Sequence, residues 1–159
     1  MRTGRWLHKL ALEMAIDVRE VPQPQIKPIR QAVLRPYLTV EECNLPGDDL
    51  PSTVHFAAFS GSTMVSIASI YHEPPPGSPR TDSWRLRGMA TLPDYRGRGF
   101  GAACLRACIN HVRQAGGHHI WCNARTGAVP FYERYGFRRI GEEFEIPDIG
   151  PHFVMEVDL

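Results

Sequence analysis

The chain has almost no excess charge of either sign. Its 18 Lys and Arg stand against 17 Asp and Glu, for a net charge of +1. No overall field draws it to nucleic acid or to an anionic membrane, so neither is expected as a partner, and any anion site must be local. An apolar run near the ~20 residues of a membrane span is missing, as is a signal peptide, so a cytoplasmic location is expected. Cysteine is scarce and unpaired: Cys43, Cys104, Cys108 and Cys122 form no C-x-x-C motif. A zinc site needs closer clustering with histidine, so no metal is expected and the cysteines read as small core residues. No internal repeat is visible.

What is present fits one domain. The 159 residues can bury a hydrophobic core of their own. Residues 1–14 read as an N-terminal extension or peripheral helix, and residues 15–159 as the domain. "AIDVREVP" (15–22) alternates like a strand. "QIKPIRQAVLRPYL" (25–38) places Ile26, Ile29, Val33 and Leu34 at helical spacing. "TVHFAAFS" and "TMVSIASIY" flank Gly61-Ser62, which suits a type II′ hairpin. Both runs are apolar on both faces, as in a sheet covered on each side.

"SWRLRGMATL" (83–92) is a further strand, and a helix runs from the glycines after it to Gly116-Gly117. "HHIWCNA" is a strand whose entry, His118 and His119, reads as surface. "TGAVPFYERYG" is a short helix with Thr126 as its cap and Gly136 as its stop. "FRRIGEEFEI" and "HFVMEVDL" are the last two strands. The order β-α-β-β-β-α-β-α-β-β predicts a mixed α/β sheet with helices on both faces, with parallel neighbours where helices link strands in the second half.

One stretch concentrates the chemistry. "DYRGRGFGAACL" (94–105) puts glycine at positions 97, 99 and 101, with Arg96 and Arg98 before the first two. Bare backbone lets successive N–H groups form a concave anion nest. The helix that follows adds its unpaired N–H groups and the positive end of its dipole. This is a cradle for phosphate. A Walker A loop is excluded, because its lysine and hydroxyl are missing. A dinucleotide fingerprint does match as Gly97-Arg98-Gly99-Phe100-Gly101-Ala102. The acidic residue expected after the next strand is absent, since that strand ends in "CNA". A tight strand-to-helix turn that holds no ligand is the plain structural alternative.

The stretch also reads as Arg-x-x-Gly-x-Gly over residues 96–101, and here the chain resembles the GNAT superfamily of N-acetyltransferases. "MATLPDYRGRGFGAACL" is similar to the family's strand–loop–helix signature. "ARTGAVPFYERYGF" is similar to its second signature, with Ala128, Phe131, Tyr132, Gly136 and Phe137 in an A-x-x-F-Y-x-x-x-G-F pattern. The resemblance implies a mixed sheet split by a slot for coenzyme A (CoA). It implies that the backbone of Met89, Ala90 and Thr91 pairs with the pantetheine arm. It also implies that the N–H groups of Arg96, Gly97, Arg98, Gly99, Phe100, Gly101 and Ala102 hold the diphosphate of acetyl-CoA, with Arg125 and Ala128 also at the cofactor.

Amine attack on a thioester needs a deprotonated amine, a donor for the carbonyl oxygen and a proton for the thiolate. Tyr132 matches the family's general acid, set against a plain packing role beside Phe131. The glutamate base of some relatives falls near Asn123, which cannot serve. Glu142, Glu143, Glu145 and His152 are the remaining base candidates, each set against a place on a solvated strand face. The implied activity is acetyl-CoA-dependent transfer to a primary amine of a small molecule or peptide. A non-catalytic acyl-CoA-binding regulatory domain is the alternative, and relatives often dimerise, which leaves a homodimer open. The acidic cluster Glu142–Glu145 with Asp148 would favour a cationic acceptor, whereas Trp84, Arg85 and Arg87 would equally favour an acidic one.

Overall fold

The computed structural model describes residues 4–8 and 15–159. Residues 4–8 are helical and exposed. The rest of the N-terminal extension lies outside the described residues. From Asp17 onward the elements run β1 (Asp17–Glu20), α1 (Gln23–Ile29), β2 (Val54–Ser60), β3 (Thr63–Tyr71), β4 (Ser83–Thr91), α2 (Phe100–Gln114), β5 (His119–Arg125), α3 (Val129–Glu133), β6 (Arg138–Ile146) and β7 (Gly150–Asp158). This is the order expected from the sequence.

The seven strands form one mixed sheet in the order β1-β2-β3-β4-β5-β7-β6. Among the described residues, only β4 and β5 pair in parallel. The expectation of parallel neighbours across α3 is corrected here. β7 inserts between β5 and β6, so β6 runs in the direction of β5 without touching it. α3 has only five residues and cannot carry the chain over a packed crossover.

Both faces are covered. On one, α2 presents Cys104, Leu105, Cys108, Ile109 and Val112 to Val65, Ala68, Ile70, Trp84 and Leu86. On the other, Ile26 and Ile29 of α1 meet Ala57, Ile67 and Ala90. All four cysteines are free and buried. At the hairpin between β2 and β3, Gly61 has φ +60° and Ser62 does not turn positive, the signature of the expected type II′ turn. α2 ends where the Gly117 N–H bonds to the Val112 carbonyl. A Cβ on Gly117 would lie 2.5 Å from Val112 and 2.6 Å from Trp84, so packing as well as turn geometry demands glycine there.

Two helical expectations shift. The helix predicted over 25–38 is α only to Ile29 and continues as a π turn over Arg30–Leu34, ending ahead of Pro36. Thr126 does not cap α3. Its hydroxyl donates to Glu143 instead, at 2.9 Å.

A buried polar clasp joins β4, β5 and β7. The Ser83 hydroxyl lies 2.7 Å from His119 Nδ1, and His119 Nε2 lies 2.8 Å from a Glu156 carboxylate oxygen. The pattern is that of a hydrolytic triad, but Ser83 is fully buried and His119 only 1 % exposed, so no substrate reaches it. His119, expected at the surface, is therefore a core residue. His118 is exposed as expected.

Candidate active site

The pairing of β4 with β5 is brief. Ser83, Trp84 and Arg85 meet His119, Ile120 and Trp121, and beyond that point the two strands part. Each keeps its other neighbour, β3 for β4 and β7 for β5. The result is a wedge in the middle of the sheet, within a cavity of about 620 Å³ that extends to the glycine loop.

The wedge begins at a bulge. In the β3–β4 ladder, Ile67 pairs with Ala90 but Ser69 pairs with Arg87, which leaves an extra residue in β4. Gly88 sits there with φ +64°, and a left-handed glycine suits such a bulge. The bulge reverses the side-chain alternation. Trp84 and Leu86 belong to the α2 core, whereas Ala90 belongs to the α1 core. Gly88 was not singled out from the sequence, although a lone glycine within a strand run is a known signal for a bulge.

After β4, a short 3-10 turn at Pro93–Tyr95 leads to the loop. Gly97 and Gly99 have φ of +72° and +90°, and Gly99 is the N-cap of α2. The first bond back from the helix is from Ala103 N–H to Gly99. Among the described residues, the N–H groups of Gly97, Arg98, Gly99, Phe100, Gly101 and Ala102 have no acceptor, so six donors remain for an anion. Arg96 departs from expectation in one respect. Its N–H is spent on the Pro93 carbonyl, while its Nε donates to the Thr91 carbonyl at 3.3 Å and its residue lines the cavity.

The structure brings together nearly every residue named from the sequence. Met89, Ala90, Thr91, Arg96, Gly97, Gly99, Phe100, Gly101, Ala102, Arg125, Ala128 and Tyr132 all line the cavity. Arg98 does not. Its guanidinium lies over the rings of Tyr95 and Phe100, at 5.1 and 5.6 Å. Gly101 fits because a Cβ there would come within 3.3 Å of Thr91 Oγ1 and 3.6 Å of Met89 Cε.

Tyr132 is buried, and its hydroxyl donates to the Met89 sulfur at 3.5 Å. Burial pushes its phenol well above the ordinary range, so the proton is retained. Of the base candidates, only His152 lines the cavity. It is 4 % exposed, not on a solvated face. Its Nδ1 lies 2.7 Å from the Gly150 carbonyl, so Nδ1 carries a hydrogen, and Nε2 is the ring nitrogen that bond leaves uncommitted. Glu142, Glu143 and Glu145 are exposed and lie off the cavity wall.

A second element escaped the sequence reading. Arg30, at the start of the π turn, is buried against the bulge. Its Nη1 donates to the Asp48 carboxylate at 2.7 Å and the Cys43 carbonyl at 2.9 Å. Asp48 also accepts from the Leu45 N–H and the Tyr71 hydroxyl. This network ties the polar loop after α1 to β3 and to the cavity wall. Its members are far apart in sequence, so no local pattern marks them.

The comparisons with known proteins agree with this geometry. Residues 47–159 match the model of the acetyltransferase (GNAT) domain. The chain belongs to the GNAT family. It is an acyltransferase. It is 33 % identical over 140 residues to the uncharacterized N-acetyltransferase YitI of Bacillus subtilis (strain 168), covering 88 % of this chain and 94 % of that protein. Its fold is shared with a GCN5-related N-acetyltransferase from Kribbella flavida, at TM-score 0.69 and 23 % identity over 92 % of this chain and 99 % of that one. It is also shared with an aminoglycoside 6'-N-acetyltransferase solved in complex with coenzyme A, at TM-score 0.66 and 15 % identity over 89 % of this chain and 96 % of that one. No helix among the described residues is long and apolar enough to cross a membrane.

Proposed function

We propose that this GNAT protein transfers an acetyl group from acetyl-CoA to a primary amine of a small molecule or peptide. The observation that carries the reading is the parting of β4 and β5 into a cavity that reaches Gly97, Gly99, Phe100, Gly101 and Ala102, whose N–H groups bond to no backbone acceptor among the described residues. Bound acetyl-CoA supplies the activated acyl carbon. Gly97 to Ala102 receive its diphosphate, with Arg96 beside them, and the bare edge of β4 from Met89 to Thr91 receives its arm as an added strand.

His152 takes the proton of the incoming amine at Nε2, directly or through one water. A backbone N–H at the bulge faces the charge that develops on the carbonyl oxygen. As the C–N bond forms and the C–S bond breaks, Tyr132 gives its proton to the departing thiolate and recovers one from solvent. Its raised pKa keeps it in the donating form.

The test is thermal stabilisation by CoA, followed by thiol release from acetyl-CoA against an amine panel. Millimolar CoA raises the melting temperature and NAD(P) does not. Tyr132→Phe lowers kcat by about 100-fold, with the KM for acetyl-CoA little changed. Absence of any CoA response would overturn the reading. Stabilisation without thiol release on any amine would overturn the transfer step.

A further inference from the structure

The cavity wall carries Arg30, Arg35, Arg85, Arg87, Arg96, Arg125 and Arg134 and neither Asp nor Glu. Not all of these charges are accounted for by a diphosphate. Arg96 is at the phosphate loop, and Arg30 is neutralised by Asp48. Arg85 and Arg87 lie elsewhere, toward the paired end of β4. Arg87 is four residues before Thr91, or about 13 Å of strand, and the phosphate loop begins only after that.

These two cations share one carboxylate among the described residues, that of Glu73. Arg85 lies over the Trp121 ring at 4.6 Å and reaches only the exposed carboxylate of Glu73, at 3.4 Å. Its Nε is buried with no hydrogen-bond partner. Arg87 is half-buried; its guanidinium lies over the face of Tyr71, at 5.9 Å, and the Glu73 carboxylate attracts it. Burial, together with the charges of Arg85 and Arg30, pushes the Arg87 guanidinium below its usual range. Two guanidinium groups that share one carboxylate leave an excess of positive charge in the cavity wall, and that excess suits an anionic ligand.

We infer that the acceptor amine also carries a carboxylate, held by Arg87 and Arg85 at the end of the cavity remote from the phosphate loop. The planar fork of a guanidinium fits the two oxygens of a carboxylate. The acidic run on β6 does not oppose this, because it faces solvent rather than the cavity. The inference rests on the transferase reading above and names its acceptor class.

The experiment pairs amino acids of increasing amine-to-carboxylate separation with their carboxamides, as acceptors for the acetyl-CoA-loaded protein. The best acid exceeds its carboxamide in kcat/KM by about 10- to 100-fold. Arg87→Gln removes that preference by raising KM for the acid with kcat little changed. Arg87→Lys restores part of it, and Arg85→Gln reproduces the loss should Arg87→Gln fold poorly. Equal or reversed preference in the wild type would overturn the inference, and if simple amines or diamines were the better acceptors the transferase reading would stand without it. If nothing is turned over, calorimetry of the same pairs on CoA-saturated protein decides: equal affinity for acid and carboxamide sinks the proposal. A protein that fails to bind CoA sinks the transferase reading itself.

Discussion

The Tyr132 hydroxyl and the Met89 sulfur meet at 3.5 Å, so helix α3 and strand β4 touch through a phenol aimed at a soft acceptor. A thioether accepts weakly. Removing the hydroxyl therefore costs little stability, and Tyr132→Phe keeps its melting temperature within about 2 °C of the wild type. Burial sets the pH behaviour. A phenol whose folded pKa lies above its unfolded value of ~10 adds stability that is full below pH ~10 and is lost above it. The phenol stays protonated across the working range, so under the proposed role the rate profile shows no fall near pH 10 from its loss. Such a fall in kcat, abolished by Tyr132→Phe, would contradict the burial argument.

Three glycines separate folding from binding. Gly88→Ala forces a side chain into φ +64° and places a Cβ 3.4 Å from Arg30 Nε. The left-handed conformation alone costs about 1–2 kcal/mol, and the melting temperature falls by roughly 2–8 °C. Gly97→Ala carries the same backbone strain at φ +72° but meets nothing within 4 Å, so its loss lies at the lower end. Gly101→Ala has no such backbone strain; the gain in helix propensity is offset by the Thr91 Oγ1 that must give way at 3.3 Å, so stability changes by less than in the other two. Its Cβ crowds Thr91 and Met89 in the slot, and CoA affinity drops about tenfold. Melting curves beside CoA titrations would reveal the split.

The two loop arginines are unequal. Arg96→Ala removes a charge at the cavity wall and raises the KM for acetyl-CoA by about 5- to 10-fold. Arg98→Ala removes a guanidinium that lies over Tyr95 and Phe100, away from the cavity, and changes the KM less than about twofold. Equal effects of the two substitutions in steady-state kinetics would refute this assignment.

Asp48 governs acid stability. Burial would raise its pKa, but hydrogen bonds from Arg30, Leu45 and Tyr71 and the charge of Arg30 outweigh that effect and hold the carboxyl at about 2. The unfolded value is ~3.9. The carboxylate therefore stabilises the fold above pH ~4, and its contribution is lost as pH falls toward 2. Asp48→Asn leaves Arg30 buried without its counter-charge and costs about 3–5 kcal/mol at neutral pH. Denaturant unfolding from pH 5 to 2 would show a steeper loss in the wild type than in the variant.

Much of this was readable in the chain itself, and the reasons are physical. Gly97, Gly99, Gly101 and Tyr132 sit in continuous segments whose local chemistry announces a turn, a helix start and an aromatic pair. The hairpin at Gly61 and the end of α2 at Gly117 are equally local. Three features were not readable. The Arg30–Asp48–Tyr71 network joins three segments through burial alone. The burial of His152, named from the sequence as a candidate but set on a solvated face, and of His119 comes from strands that the sequence does not show to be adjacent. The insertion of β7 beside β5 is a choice of topology, made by pairing energies summed over a whole strand rather than by any residue in it.

The brevity of the β4–β5 junction has a mechanical consequence. Two half-sheets, one of four strands and one of three, pair through a single joint three residue pairs long, and the core under α2 spans both. Ser83, His119 and Glu156 act as the rivet of that joint, and the mouth where chemistry happens lies at the far ends of the two arms. A small change of angle at the rivet is magnified at the mouth. The width of the wedge is thus set in part by core residues at its closed end.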